Sequence, residues 1–302
     1  LTSVIGPAVE IKYHNDLIGN GRGLEIEVSG NDWFVGDMAR LQSPSPTSPR
    51  ARKRDIDVVR LLMLGAFHRL GVTKGTVKLV TGLPVEWFTD KDALAAGLRG
   101  PHTFTANGTP CTVTVSDVVI VPQPFGSFFR SLLAPDGALT DVNGWARGRV
   151  GILDVGMHTS DYALSDALRY VEPRSGSVDK AMARVYELVR EAVAQNYDRD
   201  ASLSDIEDAV RTGKLPHRDQ HIGILDLVAG AREAVGRSVV GQAQTLWGDG
   251  DDLAAVLVTG GGGPFFYEEI KAVYPHAQLL DDPQRANAEG FYRYGLRKFG
   301  VV

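Results

Sequence analysis

The sequence predicts a mixed α/β protein with a domain junction near its middle, and three observations carry this. The runs 150–153 (with Val155) and 255–258 are wholly apolar, the composition of buried strands. Stretches such as 56–70 and 178–193 repeat apolar residues at helical spacing between such strands. Residues 135–149 are polar and turn-rich, which is where a junction falls.

In chain order, 9–12, 24–28 and 33–36 read as short strands, joined by turns at Asn15-Asp16, Gly19-Asn-Gly21 and Ser29-Gly-Asn-Asp32. Residues 33–39 close this β region. Pro44, Pro46 and Pro49, followed by Arg50, Arg52, Lys53 and Arg54, make 43–54 a solvated loop, because no regular element accommodates prolines at that spacing. Its basic run is a wet surface, or a contact with a partner or an acidic surface. Asp55 has N-cap chemistry. Ile56, Val59, Leu62, Met63, Ala66, Phe67 and Leu70 then predict a helix stopped by Gly71. A strand at 77–84 runs into a Gly-Leu-Pro turn, and a short helix covers 90–98. Strands at 102–107 and 110–115 form a hairpin around Asn107-Gly108, the strongest turn signal in the chain. The apolar strand 118–121 ends in Pro122-Gln-Pro124 and gives way to a helix through 133.

Beyond the junction, 150–155 and 162–164 form a hairpin. A long helix from 178 turns Val178, Met182, Val185, Leu188, Val189 and Val193 inward. A short capped helix and loop occupy 200–213, and an Ala- and Val-rich helix 219–247. Strand 255–258 ends in four glycines, and Pro264 opens the next helix where proline fits best. A strand at 278–280 and a helix at 282–298 close the chain.

With 302 residues there is length for two domains or one large one, and 43% hydrophobic with 23% charged residues is ordinary for a globular protein. The net charge of -5 argues against a nucleic-acid surface, so no direct nucleic-acid binding is expected. A single cysteine, Cys111, excludes an intrachain disulfide and a cysteine-type metal cluster. No apolar run approaches the ~20 residues that cross a bilayer, and no signal segment opens the sequence. A cytoplasmic protein without a membrane span is expected. The chain starts at Leu1, and Val4-Ile5 read as the continuation of something begun earlier, so an N-terminal piece is expected to be missing.

Three segments carry chemistry. In Asp154-Val-Gly-Met-His-Thr-Ser-Asp161 two carboxylates bracket a turn with Gly156 and the hydroxyls of Thr159 and Ser160. Clustered backbone N–H groups at such a tip can wrap a phosphate, and Asp154 can hold a hydrated Mg²⁺. A plain hairpin with a polar turn has the same composition. Thr259-Gly-Gly-Gly-Gly263 lies between a buried strand and a helix N-terminus, a floor on which a nucleotide's sugar or phosphates can rest. A flexible loop is the other reading. No Lys-Ser or Lys-Thr follows, so it is no Walker loop, and it follows no early strand of a βαβ unit, so it is no Rossmann fingerprint. Gln123, between two prolines at a strand end, can orient a water for in-line attack on a γ-phosphate, or be a turn residue bonded to backbone.

In this order the segments resemble the actin superfamily of ATPases, most closely the bacterial and archaeal actin-like proteins related to plasmid-segregation ParM. Asp154 to Asp161 is similar to the family's second phosphate hairpin, Val258-Thr-Gly-Gly-Gly262 to its adenosine motif, and Val121-Pro-Gln-Pro-Phe-Gly126 to the segment that positions the attacking water. Arg285-Ala-Asn-Ala-Glu-Gly290 resembles a connecting helix with Ala286, Asn287 and Gly290 at its packing surface, and Gly176-Ser-Val-Asp179 a Gly-x-x-Asp segment beside the ribose. Trp33 to Ala39 and Thr81-Gly-Leu-Pro84 are similar as well, so the resemblance spans nearly the whole length. It implies an actin-like (ribonuclease H-like) fold, two α/β domains with a nucleotide cleft between them. Domain I would be 1–147 with 284–302 returning to it, and domain II 148–283. It further implies ATP or ADP with Mg²⁺, ATP hydrolysis, self-association into filaments and an adaptor protein, in plasmid or DNA segregation or cytoskeletal organisation. By the same resemblance Gln123 and Asp154 are catalytic, with Asp154 holding Mg²⁺ through water. Gly156, Thr159, Ser160, Gly176, Asp179, Gly260, Gly261, Gly262 and Gly263 contact nucleotide. A small-molecule kinase of this fold and a non-catalytic nucleotide-binding scaffold are the alternatives. Two departures stand out. Nothing before Val4 supplies the family's first phosphate hairpin, about two dozen residues at typical strand and turn lengths, and Met157-His158 replace the usual glycines, with His158 expected to face solvent.

Overall fold

The computed structural model describes residues 2–11, 23–48, 56–217 and 220–300. The expected turns at Asn15-Asp16 and Gly19-Asn-Gly21, the cap at Asp55 and the run Arg50 to Arg54 lie outside the described residues. In chain order the elements are β1 (Ile5–Pro7), β2 (Leu24–Val28), β3 (Asn31–Val35), α1 (Asp37–Gln42), α2 (Ile56–Arg69), β4 (Lys74–Leu83), α3 (Lys91–Leu98), β5 (Gly100–Ala106), β6 (Thr109–Pro122), α4 (Phe125–Leu132), β7 (Arg149–Val155), β8 (Ser160–Asp166), β9 (Arg169–Tyr170), β10 (Gly176–Val178), α5 (Met182–Tyr197), α6 (Leu203–Thr212), β11 (Lys214–His217), β12 (Gln220–Gly223), α7 (Leu225–Trp247), β13 (Ala255–Thr259), α8 (Gly263–Val273), β14 (Ala277–Leu279) and α9 (Ala286–Phe299). A 3₁₀ turn, Val85–Asp90, joins β4 to α3.

The chain divides into two units, residues 1–80 with 89–120 and residues 81–88 with 121–302. The first carries a sheet in the order β1-β3-β2-β5-β6-β4. Its β5–β6 hairpin turns at Asn107 (φ 46°) and Gly108 (φ 76°), both left-handed, as an Asn-Gly two-residue turn requires. The Asn107 side chain also accepts from Glu25 N–H at 2.8 Å, tying the turn to β2. Helix α2 corrects the expected stripe. Val58, Leu61, Met63, Leu64 and Phe67 are buried, whereas Leu70 is 77% exposed. The helix is apolar nearly all round, so periodicity alone does not choose its inner face. The expected strand at 9–12 is also displaced: β1 lies at Ile5–Pro7, paired with β3, and residues 9–11 are irregular.

The second unit is built on β10-β8-β7-β13-β14, with β9 beside β8. Strands β7 and β8 are antiparallel; β7, β13 and β14 are parallel. Leu153, Val155, Tyr162 and Leu164 face a core shared with α5, α6, α7 and α8, while Val150, Ile152 and Ala163 face one shared with α4 and Trp145. A sheet covered on both faces explains why β7 and β13 read as unbroken apolar runs. Helix α6 is capped by Ser202 and Asp205 in a reciprocal box and ends at Gly213, which is left-handed.

Three helix starts move inward, that of α9 from the expected 282 to Ala286. Helix α5 begins at Met182 because residues 176–178 pair with β8 as an edge strand. Helix α7 begins at Leu225 because 220–223 pairs with 214–217, a small hairpin whose polar sequence gave no strand signal. Helices α4 and α9 cross with backbones in contact: a Cβ on Gly290 would lie 1.6 Å from Gly126 O. Among the described residues no helix is long and apolar enough to cross a membrane.

Candidate functional site

The site grows from the ends of β7 and β13. Strand register sets Asp154 between Asp161 on β8 and Thr259 on β13. In open α/β sheets ligands collect at the carboxyl ends of parallel strands, and this row lies there.

Asp154 is buried, and its Oδ2 accepts from Gln123 Nε2 at 3.0 Å and Asn287 Nδ2 at 2.7 Å. On the other side, a Cβ at residue 260 would sit 2.3 Å from Asp154 Oδ1 and from Val155 O, and φ there is +82°, so glycine is required. Burial raises the Asp154 carboxyl above its ordinary range, and the Gln123 and Asn287 amides offset this only in part. Asn287 is itself held, its Oδ1 accepting from Ser127 N at 2.9 Å. The Gly126–Gly290 crossing lets that bond form, because it brings α4 and α9 within reach of each other.

Asp161 is equally buried. Its Oδ1 accepts from Val85 N at 3.0 Å and from the Ser177 hydroxyl, and its Oδ2 from Thr159 Oγ1 at 2.9 Å. Burial first, and then the Asp154 charge, push its carboxyl up to about 6, against the pull of these hydrogen bonds. Its folded value lies above the ~3.9 of an unfolded chain, so the stability it contributes is present below about pH 4 and lost as pH rises through about 6. Asp161→Asn keeps the shape and removes the charge. Without nucleotide it is expected to be more stable than the parent at pH 7.5, by up to about 3 kcal/mol, with the gain fading toward pH 4. Urea unfolding at the two pH values checks this; a variant no more stable than the parent at pH 7.5 would refute it.

Two neighbouring buried carboxylates could hold a cation, or take up a proton, in answer to their burial. Among the described residues no three His, Cys, Asp or Glu side chains converge, so no all-protein metal cage forms there. Both oxygens of Asp161 are already engaged, so Asp154 is the carboxylate that fits Mg²⁺, which prefers oxygen ligands, keeps several waters, and takes one or two carboxylates with phosphate.

Gln123 is fixed at its backbone, N–H to Leu83 O at 2.7 Å and carbonyl to Gly126 N at 3.1 Å, and its side chain reaches a carboxylate rather than backbone. At the hairpin tip, Gly156 N donates to Thr159 O, and the Gly156 and Met157 carbonyls accept from Met182 N and Ala183 N, so the tip caps α5. Ser160 is buried and donates to Lys180 O at 2.7 Å; Thr159 donates to Asp161. Met157 is exposed and His158 half-buried. Gly260, Gly262 and Gly263 donate to Pro283 O, Val155 O and Gly260 O, while Gly261 is exposed, with the Gln284 side chain 3.8 Å from where its Cβ would be. The glycine loop is therefore a closed turn with one open point. Gly176 is half-buried opposite Tyr162, and Asp179 is exposed after β10. Gln123 and Gly260 thus each meet Asp154 directly. Gly156, Thr159 and Ser160 share the hairpin tip, and Gly176 and Asp179 bracket the next strand.

Sequence reasoning missed Asp161, Ser177 and Ser127 as members of this network, and the bond from Asn287 to Asp154. Asp161 carried the only local signal, a second carboxylate bracketing the same turn.

A family model for the N-terminal domain of actin-like proteins matches residues 1–126, and one for the C-terminal domain of the archaeal actin homologue, MreB-like, matches 152–272. A search by sequence among curated proteins finds no match. Among solved structures, the archaeal actin homologue Ta0583 is similar with a TM-score of 0.81 at 17% identity, over 98% of this chain and 92% of that one. Its complex with ADP is similar at 0.78 and 16% identity, over 98% and 91%. A 15-stranded ParM filament from Clostridium botulinum is similar at 0.76 and 22% identity, over 98% and 92%. These likenesses establish an actin-like fold.

Proposed function

The chain belongs to the actin-like proteins, its two halves matching the family models for their N- and C-terminal domains, and from that premise we propose that it binds an adenine nucleotide with Mg²⁺, assembles into filaments as ParM-type proteins do and hydrolyses ATP. One observation carries the reading: a neutral amide, Gln123 Nε2, and a buried carboxylate, Asp154 Oδ2, are brought to 3.0 Å from separate segments, at the mouth of two parallel strands. The ADP complex of the archaeal homologue and the filament from Clostridium botulinum support the ligand class and the assembly.

In this reading Asp154 is the residue that would hold Mg²⁺ through water, and the ion would supply positive charge against the phosphates. Gly156, Thr159 and Ser160 form the phosphate tip. Gly260, Gly261, Gly262 and Gly263, with Gly176 and Asp179, flank the nucleoside. Gln123 accepts a hydrogen bond from the attacking water through Oε1 while its amide stays on Asp154, which fixes the water's lone pair toward the γ-phosphate. The proposed functional halves are 1–147 with 284–302, and 148–283. A filament of this kind would work through an adaptor protein, in DNA segregation or cytoskeletal organisation.

Gln123→Ala is expected to slow phosphate release by ~10²-fold, as loss of a water-orienting group should, while ATP still drives the protein into the pellet on sedimentation. Runs with ATP, with ADP and without nucleotide separate the alternatives. Transfer of phosphate to an added small acceptor would favour a kinase, and pelleting indifferent to nucleotide a scaffold. Unchanged phosphate release by Gln123→Ala removes Gln123 from the mechanism.

A further inference from the structure

Ser177 has no part in the chemistry described above, yet it sits at the centre of an unbroken chain of bonds. It lies on β10, between Gly176 and Asp179, and stands opposite Asp161 in the β10–β8 register. Its hydroxyl donates to Asp161 Oδ1 and accepts from Glu86 N at 3.2 Å. The same carboxylate oxygen accepts from Val85 N at 3.0 Å. The first two amides of the 3₁₀ turn, which such a turn leaves without internal partners, are therefore held by Asp161 and Ser177 together. Two residues earlier Leu83 O accepts Gln123 N at 2.7 Å. Gly82 presses on the same point: a Cβ there would lie 2.8 Å from Gln123 Cα and 2.6 Å from Phe291 Cζ. The strap 82–86 is thus fixed to Gln123 at one end and to β10 at the other.

We propose that Ser177, acting with Asp161 through the strap 82–86, is a positioning residue that couples nucleoside contact at β10 to the placement of Gln123. This rests on the reading of Gln123 as the water-orienting group. A nucleoside that settles against Gly176 and Asp179 steadies β10. Ser177 passes that order to the Glu86 amide directly and to the Val85 amide through Asp161, and Leu83 O passes it to the Gln123 backbone. Asp161 is shared by the strap and Thr159, so the hairpin tip responds with it.

Two measurements test this. In the first, steady-state phosphate release is followed for Ser177→Ala, Ser177→Thr and Gln123→Ala beside the parent. Ser177→Ala is expected to lower kcat about tenfold with KM for ATP within about twofold, the signature of lost positioning without lost binding. Ser177→Thr, which keeps the hydroxyl, is expected to restore it. Parental kcat in Ser177→Ala beside a slow Gln123→Ala overturns the coupling and leaves the role of Gln123 standing. Parental kcat in both overturns that role and the coupling with it. The second uses the unaltered protein and so decides even if Ser177→Ala fails to fold. Adenosine, which has no phosphate to engage the hairpin tip, is added during amide hydrogen exchange. The amides of Val85, Glu86 and Gln123 are expected to slow together. Protection confined to 176–179 overturns the coupling, and protection nowhere overturns the nucleoside site and the coupling alike.

Discussion

Asp154→Ala is expected to lower phosphate release by ~10²-fold or more, as removal of a charge-stabilising group does. The loss has two parts. The carboxylate that would hold the hydrated Mg²⁺ disappears. Gln123 Nε2 and Asn287 Nδ2, both half-buried and now directed at Asp154 Oδ2, lose their acceptor, and the cost of about 1–3 kcal/mol for a fully buried unsatisfied donor is the upper limit here. Asp154→Asn separates the two. It keeps an oxygen for the amides and removes the charge, so it is expected to fold as the parent does and yet stay slow. A phosphate-release assay in which Asp154→Ala keeps pace with the parent contradicts the assignment.

Gly290→Ala is expected to be among the most destabilising single changes in the second unit. A Cβ there would lie 1.6 Å from Gly126 O and 2.8 Å from Arg130 N, backbone atoms of a neighbouring helix that no side-chain rotation can move. The helices must separate, and overpacking of this kind costs about 3 kcal/mol or more. Separation also withdraws Asn287 from Ser127 and Asp154, so turnover is expected to fall with stability. Gly230→Ala on α7 is the control. Nothing lies within 4 Å of its Cβ position, and helix propensity alone predicts a gain of up to about 1 kcal/mol. Urea denaturation of the two variants gives the comparison; equal midpoints would mean that the α4–α9 crossing is looser than its geometry.

What the sequence disclosed and what it hid follow from the range of the interactions. Strands β7 and β13 were legible because burial on both faces leaves an apolar run, and the Asn107-Gly108 turn because only a left-handed pair closes it. Asp154, Gln123 and the glycine loop were legible because each marks a strand end by composition. The links among them were not. Asn287 is 133 positions from Asp154, and Val85 is 76 from Asp161, so no window of sequence shows either bond. The glycine loop changed meaning for the same reason. Its glycines were expected to bare the backbone for a ligand, yet Gly260 gives way to Asp154 and Gly262 donates to Val155 O, so three of the four amides serve the fold. The inner face of α2 was hidden differently, since a helix apolar on two sides needs its neighbours to choose between them.

The most direct test of the account is the crystal structure of the protein soaked with Mg²⁺ and a non-hydrolysable ATP analogue. The account predicts phosphate density against the 156–160 tip, a metal ion joined to Asp154 through water, and the nucleoside beside Gly261. A bound nucleotide elsewhere, with the tip and Asp154 bare, would contradict it.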